Sequence, residues 1–295
     1  MKFGKVENPD LVDFTLPEDH PKTRLALERG NESMSCYVGY PRWTKKDMPG
    51  LFPPGVKDEL AYYSTQYNAI ELNATFYINF KPEQIIKWKE RAADGFRFFP
   101  KVHQYISHVK RLNDVRDSID TFCESVWHFG DKLGTCFMQL HDNFGPANFH
   151  RLEAFMKHWP EDMELAIELR HPEWVSDSSV HAETFDLFET YGIIPVITDT
   201  AGRRDLVHMH LTNPKALIRF VGTNHPSDKP RMAAWASRLK SWQEKGLESV
   251  VFFIHQNMEE ESPLLSQYLI HQFNNQLATD LTMPRITINQ QTSLF

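Results

Sequence analysis

The chain predicts an α/β fold of the TIM type, a (β/α)8 barrel, on three observations. Eight short apolar runs recur along it, helix-length amphipathic stretches separate them, and the runs end in polar or charged side chains. The runs are CYVGY (36–40), AIELN (69–73), FRFFPKV (96–102), TCFMQL (135–140), LAIELR (165–170), IIPVITD (193–199), ALIRFVG (216–222) and VVFFIHQ (250–256). Nearly continuous β-branched and aromatic runs of this length suit parallel strands covered on both faces. The intervening segments, among them KDELAYYSTQ, PEQIIKWKERAA, DVRDSIDTFCESVWHFGDK and NFHRLEAFMKHW, carry apolar residues three and four apart, as outer-layer helices do. Strands alternating with helices imply a parallel sheet. The sixth crossover, AGRRDLVHMHLTNP (201–214), lacks a helical period and leaves room for irregularity there. An open doubly wound sheet is the competing architecture, but no GxGxxG or Walker-type loop follows an early strand.

Length and composition agree. A chain of 295 residues, 41% hydrophobic and 13% aromatic, is enough for one barrel with a large core. We divide it into an N-terminal extension (1–35) holding a short helix at KTRLALERG, a barrel domain (36–280) and a C-terminal tail (281–295). A net charge of −7 argues against an overall basic nucleic-acid coat but leaves local fields open. Cys36, Cys123 and Cys136 fit neither a disulfide framework nor a metal knuckle. With no signal-peptide core and no membrane-length apolar stretch, a cytoplasmic location is expected.

In a (β/α)8 barrel the carboxyl ends of the strands meet at one mouth, where the active sites of this fold lie. Here those ends carry Glu71 and Asn73, Lys101, Gln139, Glu168 with Arg170 and His171, Asp199, Arg219, and His255 with Gln256. Glutamates set inside apolar runs need partners, and Glu71 and Glu168 are candidate general acids or bases. Glu168 is expected to be ionised and paired with Arg170 or with a neighbouring strand's cation. Glu71, next to the neutral donors Asn73 and Thr75, is the better candidate for a raised pKa and the role of proton carrier. A polar network tying strand ends together explains the same residues equally well, and side-chain alternation can turn one acid toward the helices.

Several separated motifs resemble, in order, those of the YecE-like family, known as domain of unknown function 72. They are ELNATFY (71–77), FFPKVHQYISHVKRL (98–112), MQLHDNF (138–144) and ELRHPEW (168–174), within a match over about residues 36–278. The resemblance implies a TIM-like barrel whose polar mouth is lined by Glu71, Asn73, Thr75, Lys101, His108, Gln139, Glu168, Arg170, His171, Asp199 and Arg219. It supplies no established reaction. The chain departs from the family pattern at YVGYPRW (37–43) and at His141-Asp142, which replaces a proline pair.

Lys101, Lys110, Arg111, Arg170 and Arg219 would make the mouth cationic and favour an anion, phosphate, carboxylate or a nucleic-acid backbone. Gly222, after the seventh strand, marks where barrel phosphate sites often lie. Trp43, Tyr77, Phe144 and Trp174 can stack a base or sugar, although packing is the commoner role. Glu168, His171, Asp199, His108 and His210 are metal-ligand types, but no HExxH or close ligand spacing occurs. A divalent metal is therefore not favoured, and histidines such as His20, His150 and His158 read as solvated or structurally satisfied. No GxSxG elbow or activated thiol is apparent.

The expected function is an enzyme, hydrolase, nuclease or isomerase in type, acting on an anionic substrate, nucleic-acid-derived compounds included. Glu71 or Glu168 would serve as acid/base, with His108, His171 and Asp199 in the catalytic set and Asn73, Thr75, Lys101, Gln139, Arg170 and Arg219 holding substrate. The alternative is a non-catalytic binding or adaptor protein. Its tail, QTSLF, resembles the Gln-x-x-Leu-Phe peptide that docks on the bacterial sliding clamp, with Gln291, Leu294 and Phe295 as anchors.

Overall fold

The computed structural model describes residues 4–31, 33–256 and 262–286. Eight parallel strands form one sheet: β1 (Ser35–Tyr40), β2 (Ala69–Leu72), β3 (Arg97–Pro100), β4 (Cys136–Gln139), β5 (Leu165–Glu168), β6 (Ile194–Asp199), β7 (Lys215–Gly222) and β8 (Ser249–Gln256). Their order is β3-β2-β1-β8-β7-β6-β5-β4. Between β3 and β4 the ladder thins to the bridges Phe98–Leu133 and Lys101–Phe137. The Gly134 N–H donates to the Phe98 carbonyl at 2.7 Å and the Val102 N–H to that of Phe137 at 2.9 Å, so the barrel is nearly closed. The predicted barrel is thus found, with every strand within a few residues of its expected run.

Helices cover the outside: α1 (Pro21–Leu27), α2 (Glu59–Gln66), α3 (Ala74–Tyr77), α4 (Pro82–Arg91), α5 (Arg116–Trp127), α6 (Phe149–His158), α7 (Glu173–Ser176), α8 (Ser178–Thr190), α9 (Asp228–Gln243) and α10 (Ser262–Leu277). Their starts follow local chemistry. The Asp58 carboxylate caps α2 by accepting from the Ala61 N–H at 2.9 Å, Asp177 caps α8 through the N–H groups of Ser179 and Val180, and Pro82 opens α4.

The strands' two-residue period sorts their side chains. Ile70, Phe98, Met138, Ile167, Ile197, Ile218 and Phe252 join the outer core under the helices. Ala69, Phe99, Phe137, Ala166, Val196, Leu217, Val251 and Phe253 form a separate apolar plug inside the barrel. Two residues further along β2 to β8 the same inward parity falls on Glu71, Lys101, Gln139, Glu168, Thr198, Arg219 and His255. The polar layer of the mouth therefore rests on an apolar floor.

The sixth crossover is irregular, as its sequence allows, holding only a short 3-10 turn at Arg204–Leu206. The N-terminal extension covers the gap. The Thr23 hydroxyl donates to the Met209 carbonyl at 2.8 Å and accepts from the Leu211 N–H at 3.0 Å, and the His20 N–H also donates to Met209. Asp19 takes the Arg238 guanidinium at 2.6 Å and the Trp242 indole N–H at 3.0 Å, fastening the extension to α9. With Ala26 and Leu27 buried, α1 occupies the side from which a crossover helix is missing. Among the described residues no helix is long and apolar enough to cross a membrane.

At Gly39 on β1 the barrel wall is too tight for a side chain. A Cβ there would lie 2.1 Å from the Ala69 carbonyl oxygen on β2. Gly39→Ala must spread the β1–β2 pair and should cost about 2–3 kcal/mol of stability, in the range of core overpacking. Urea unfolding checks this, and an unchanged midpoint would contradict the close approach.

Candidate active site at the barrel mouth

One guanidinium organises the mouth. Arg219, 6% exposed on β7, reaches across the barrel to two carboxylates that are themselves buried. Its Nε and one Nη meet the two Glu71 oxygens at 3.1 Å each, and its other Nη meets Glu168 Oε2 at 2.5 Å. His255 Nε2 lies 2.7 Å from Glu71 Oε2, and the Asn73 amide donates to Glu71 Oε1 at 2.9 Å. Arg170 Nε donates to Glu168 Oε1 at 2.7 Å, and the Gln139 amide nitrogen lies 3.1 and 3.2 Å from the two Glu168 oxygens. The Gln139 carbonyl oxygen accepts from Lys101 Nζ at 3.1 Å, so the chain of contacts runs from β8 through β2, β7 and β5 to β4 and β3.

This arrangement corrects the assignment of Glu71 as a proton carrier of raised pKa. Burial pushes its carboxyl up, but the charges and hydrogen bonds of Arg219 and His255 outweigh that and hold it well below the usual carboxylate range. Glu168 is likewise held low, burial being outweighed by Arg219 and Arg170, and the expectation that it is ionised and paired with Arg170 agrees with that geometry. Both acids are fixed anions whose partners occupy them. Burial, reinforced by repulsion from Arg219, lowers Lys101 to about 8. Its ammonium sits 4.4 Å over the Phe76 ring, and its hydrogen bond among the described residues goes to a neutral amide. His108, on the π-helical turn Tyr105–Val109, is lowered to about 4 by burial and then by Lys101, so it is neutral at physiological pH.

Other expected site residues lie elsewhere. Asp199 follows inward-facing Thr198 by one residue, so its side chain points out to the helices. There it meets Arg204, Arg231 Nη2 at 2.8 Å and the Trp235 indole at 2.7 Å. It ties the wall together and has no contact with the mouth network. Thr75 is buried and its hydroxyl bridges the Leu72 and Lys101 carbonyls at 2.8 Å each, which makes it a splice between β2 and β3 rather than a substrate contact. His171 turns back to its own loop, accepting from the Glu173 N–H at 3.4 Å and lying against Gly145. Lys110 sits over the Tyr105 ring in the loop with Arg111, apart from the network.

Trp43 packs on Trp88, while Phe144 and Trp174 are fully buried and hydrogen-bonded to one another. Of the four aromatics expected to stack a ligand, Tyr77 alone is exposed, at 63%, on the rim of a hollow of about 380 Å³ lined also by Arg42, Asn73 and His255. The phosphate position after β7 is filled from within. Asp228 accepts from the N–H groups of Thr223 and Asn224 at 2.9–3.0 Å and from Arg231 at 2.9 Å, standing where a phosphate would sit. A hollow of about 420 Å³ at the opposite end of the barrel holds the ion pair Lys215–Glu164 and none of the network.

His255 stands at the end of β8 outside any local motif, and its place two residues beyond inward Phe253 is the sequence signal that marks it. His141 and Asp142, where the family pattern has prolines, bring a ring 5.3 Å from His108 and a carboxylate 3.6 Å from Arg170. The expected metal-ligand types in the mouth do not gather around a common point. Among the described residues one trio of potential ligands does, and it lies outside the mouth: His20, His181 and His210. Gln291, Leu294 and Phe295 lie outside the described residues.

Fold and site define a TIM-like barrel protein with a buried polar mouth. The model of the DUF72 family, "Protein of unknown function DUF72", matches residues 37–287, and the chain belongs to that family. It is similar to the UPF0759 protein YecE of Escherichia coli K12, 27% identical over 278 residues, covering 88% of this chain and 99% of that protein. It is also similar to the UPF0759 protein YunF of Bacillus subtilis, 25% identical over 202 residues, covering 64% of this chain and 70% of that one. Solved DUF72 proteins share its fold. One from Enterococcus faecalis V583 has a TM-score of 0.65 at 19% identity, covering 85% of this chain and 100% of that chain. One from Thermotoga maritima MSB8 has a TM-score of 0.62 at 20% identity, covering 83% and 99%.

Glu71→Gln keeps the shape of the side chain and removes its charge, leaving Arg219 under-compensated in a buried site. The substitution should lower stability at pH 7 by about 3 kcal/mol. A depressed carboxyl stabilises the fold above its unfolded pKa of about 4.3 and loses that contribution as pH falls through the folded value. The gap between wild type and variant should therefore narrow below pH ~4. Urea unfolding at both pH values decides it; a gap that stays constant would mean Glu71 is not an ionised partner.

Proposed function

We propose that the mouth binds a small anionic substrate, a phosphate ester or carboxylate, nucleic-acid-derived compounds included, and acts on it by acid–base chemistry. The observation that carries this reading is Lys101. Its ammonium is buried among cations while Glu71 and Glu168 are already engaged by Arg219, Arg170 and His255. A lowering from 10.5 to about 8 in a buried group corresponds to about 3 kcal/mol of lost stability at neutral pH. An anion bound beside it would offset that cost, and a lysine near neutrality can also release a proton in the reaction. In this reading Lys101 is the proton donor, neutral His108 the acceptor, and Arg219 with Glu71 and Glu168 the rigid frame that holds the field. Tyr77, exposed on the rim, would cover a ring on the substrate.

Lys101→Met tests the reading without an assumed substrate. The wild type should gain thermal stability from millimolar phosphate or sulfate, with the gain fading as pH rises through about 8 and Lys101 loses its proton. The variant should show no anion-dependent gain, yet be more stable than wild type in anion-free buffer by roughly 1 kcal/mol, because it no longer buries a charge. An equal response of both proteins to the anion removes Lys101 from the site.

The adaptor reading rests on sequence, the spacing of Gln291, Leu294 and Phe295 in the tail. It requires saturable binding of a ten-residue tail peptide to a purified sliding clamp and its loss from a chain lacking residues 291–295. Equal binding of full and shortened chains would remove the clamp as partner.

A further inference from the structure

We propose that His20, His181 and His210 form a binding site for one divalent metal ion of the zinc class, which clasps the N-terminal extension to the barrel. The three rings come from distant parts of the chain: His20 from the extension ahead of α1, His181 from the first turns of α8, and His210 from the irregular sixth crossover. One ring nitrogen of each lies within 4.8 Å of the others. His181 Nε2 and His210 Nδ1 are 3.0 Å apart, a contact in which two basic nitrogens share one proton. Metal–nitrogen bonds of about 2.0–2.1 Å place neighbouring ligand nitrogens of a tetrahedral zinc site roughly 3.3 Å apart, so this pair already has close to the needed separation.

The surroundings suit a metal. Phe185 stacks under both His181 and His210, at 4.1 and 4.3 Å, and fixes the two rings. His181 Nδ1 is buried with no hydrogen-bond partner, although the Trp174 main chain lies near enough to favour a protonated ring. With a metal on Nε2 the His181 proton moves to Nδ1 and faces that main chain, the usual outer partner of a metal-bound imidazole. One movement is needed: His20, stacked on His210 at 3.7 Å, must tilt so that its lone pair turns toward the other two. His20 and His181 are only partly buried, which leaves that movement room and gives a water access to the fourth position. Neutral imidazoles without carboxylates select zinc, nickel, cobalt or copper over magnesium and calcium. Bound there, the ion would join the extension to the crossover it covers, beside the Thr23 bonds to Met209 and Leu211.

The experiment titrates the metal-free full-length chain with Zn2+ against a chromophoric chelator, and with Co2+ followed by its visible spectrum. We expect one ion per chain, a tetrahedral cobalt spectrum without thiolate bands, and slower proteolysis of the extension when zinc is present. His20→Asn keeps an acceptor for the helix cap while removing the ligand, and it sits outside the barrel core. It and His181→Gln should each weaken zinc binding at least roughly tenfold and abolish the protection. Absence of stoichiometric binding, or equal binding by wild type and His20→Asn, would overturn the site. The latter outcome would place the ion on other side chains. Because His20→Asn lies on the extension, it decides the matter even if His181→Gln does not fold.

Discussion

Arg219 is the contact on which the mouth depends. A guanidinium buried at the centre of a barrel is tolerated only if anions surround it, and Glu71 and Glu168 supply them from strands on either side. The reverse holds equally, since neither carboxylate could stay ionised at zero to one per cent exposure without that cation. Each of the three charges makes the burial of the others possible. A frame of this kind is a poor source of stability compared with apolar packing, but it is stiff and holds a directed field at the mouth.

The frame needs a floor and walls. Phe99, Phe137 and Phe253 fill the barrel directly beneath it and keep water from the lower side. Asp199 and Asp228 perform a matching task on the outside, where Arg231 links them under α9. The two buried charge systems stand on opposite faces of the same strands, and they have separate effects: one shapes the mouth, the other binds the wall to its helices. Asp228 also shows how this chain uses a feature that other barrels keep for phosphate. Its own carboxylate closes the N–H groups after β7.

The sixth crossover illustrates compensation. A barrel that lacks an outer helix exposes part of its wall, and here the extension supplies the missing layer through α1 and its bonds to residues 209 and 211. That substitution brings His20 against His181 and His210, which no local pattern in the chain would place together.

Sequence by itself determined the barrel, because strand and helix periods are local and recur eight times. It also determined which residues stand at strand ends, and parity, counted from the apolar floor, extends that to which of them face inward: Glu71, Lys101, Gln139, Glu168, Arg219 and His255. Parity equally excludes Asp199, one residue out of step with Val196. Only the tertiary structure decided the protonation of Glu71. Its neighbours in the chain are the neutral Asn73 and Thr75, whereas the charge that governs it comes from Arg219, 148 residues away. Only the fold likewise buried Thr75 and Trp174 as structural pieces and set three histidines around a common point. Periodicity is written along the chain, but a pKa and a ligand set depend on Coulombic and geometric contacts between strands, and those exist only once the barrel has closed.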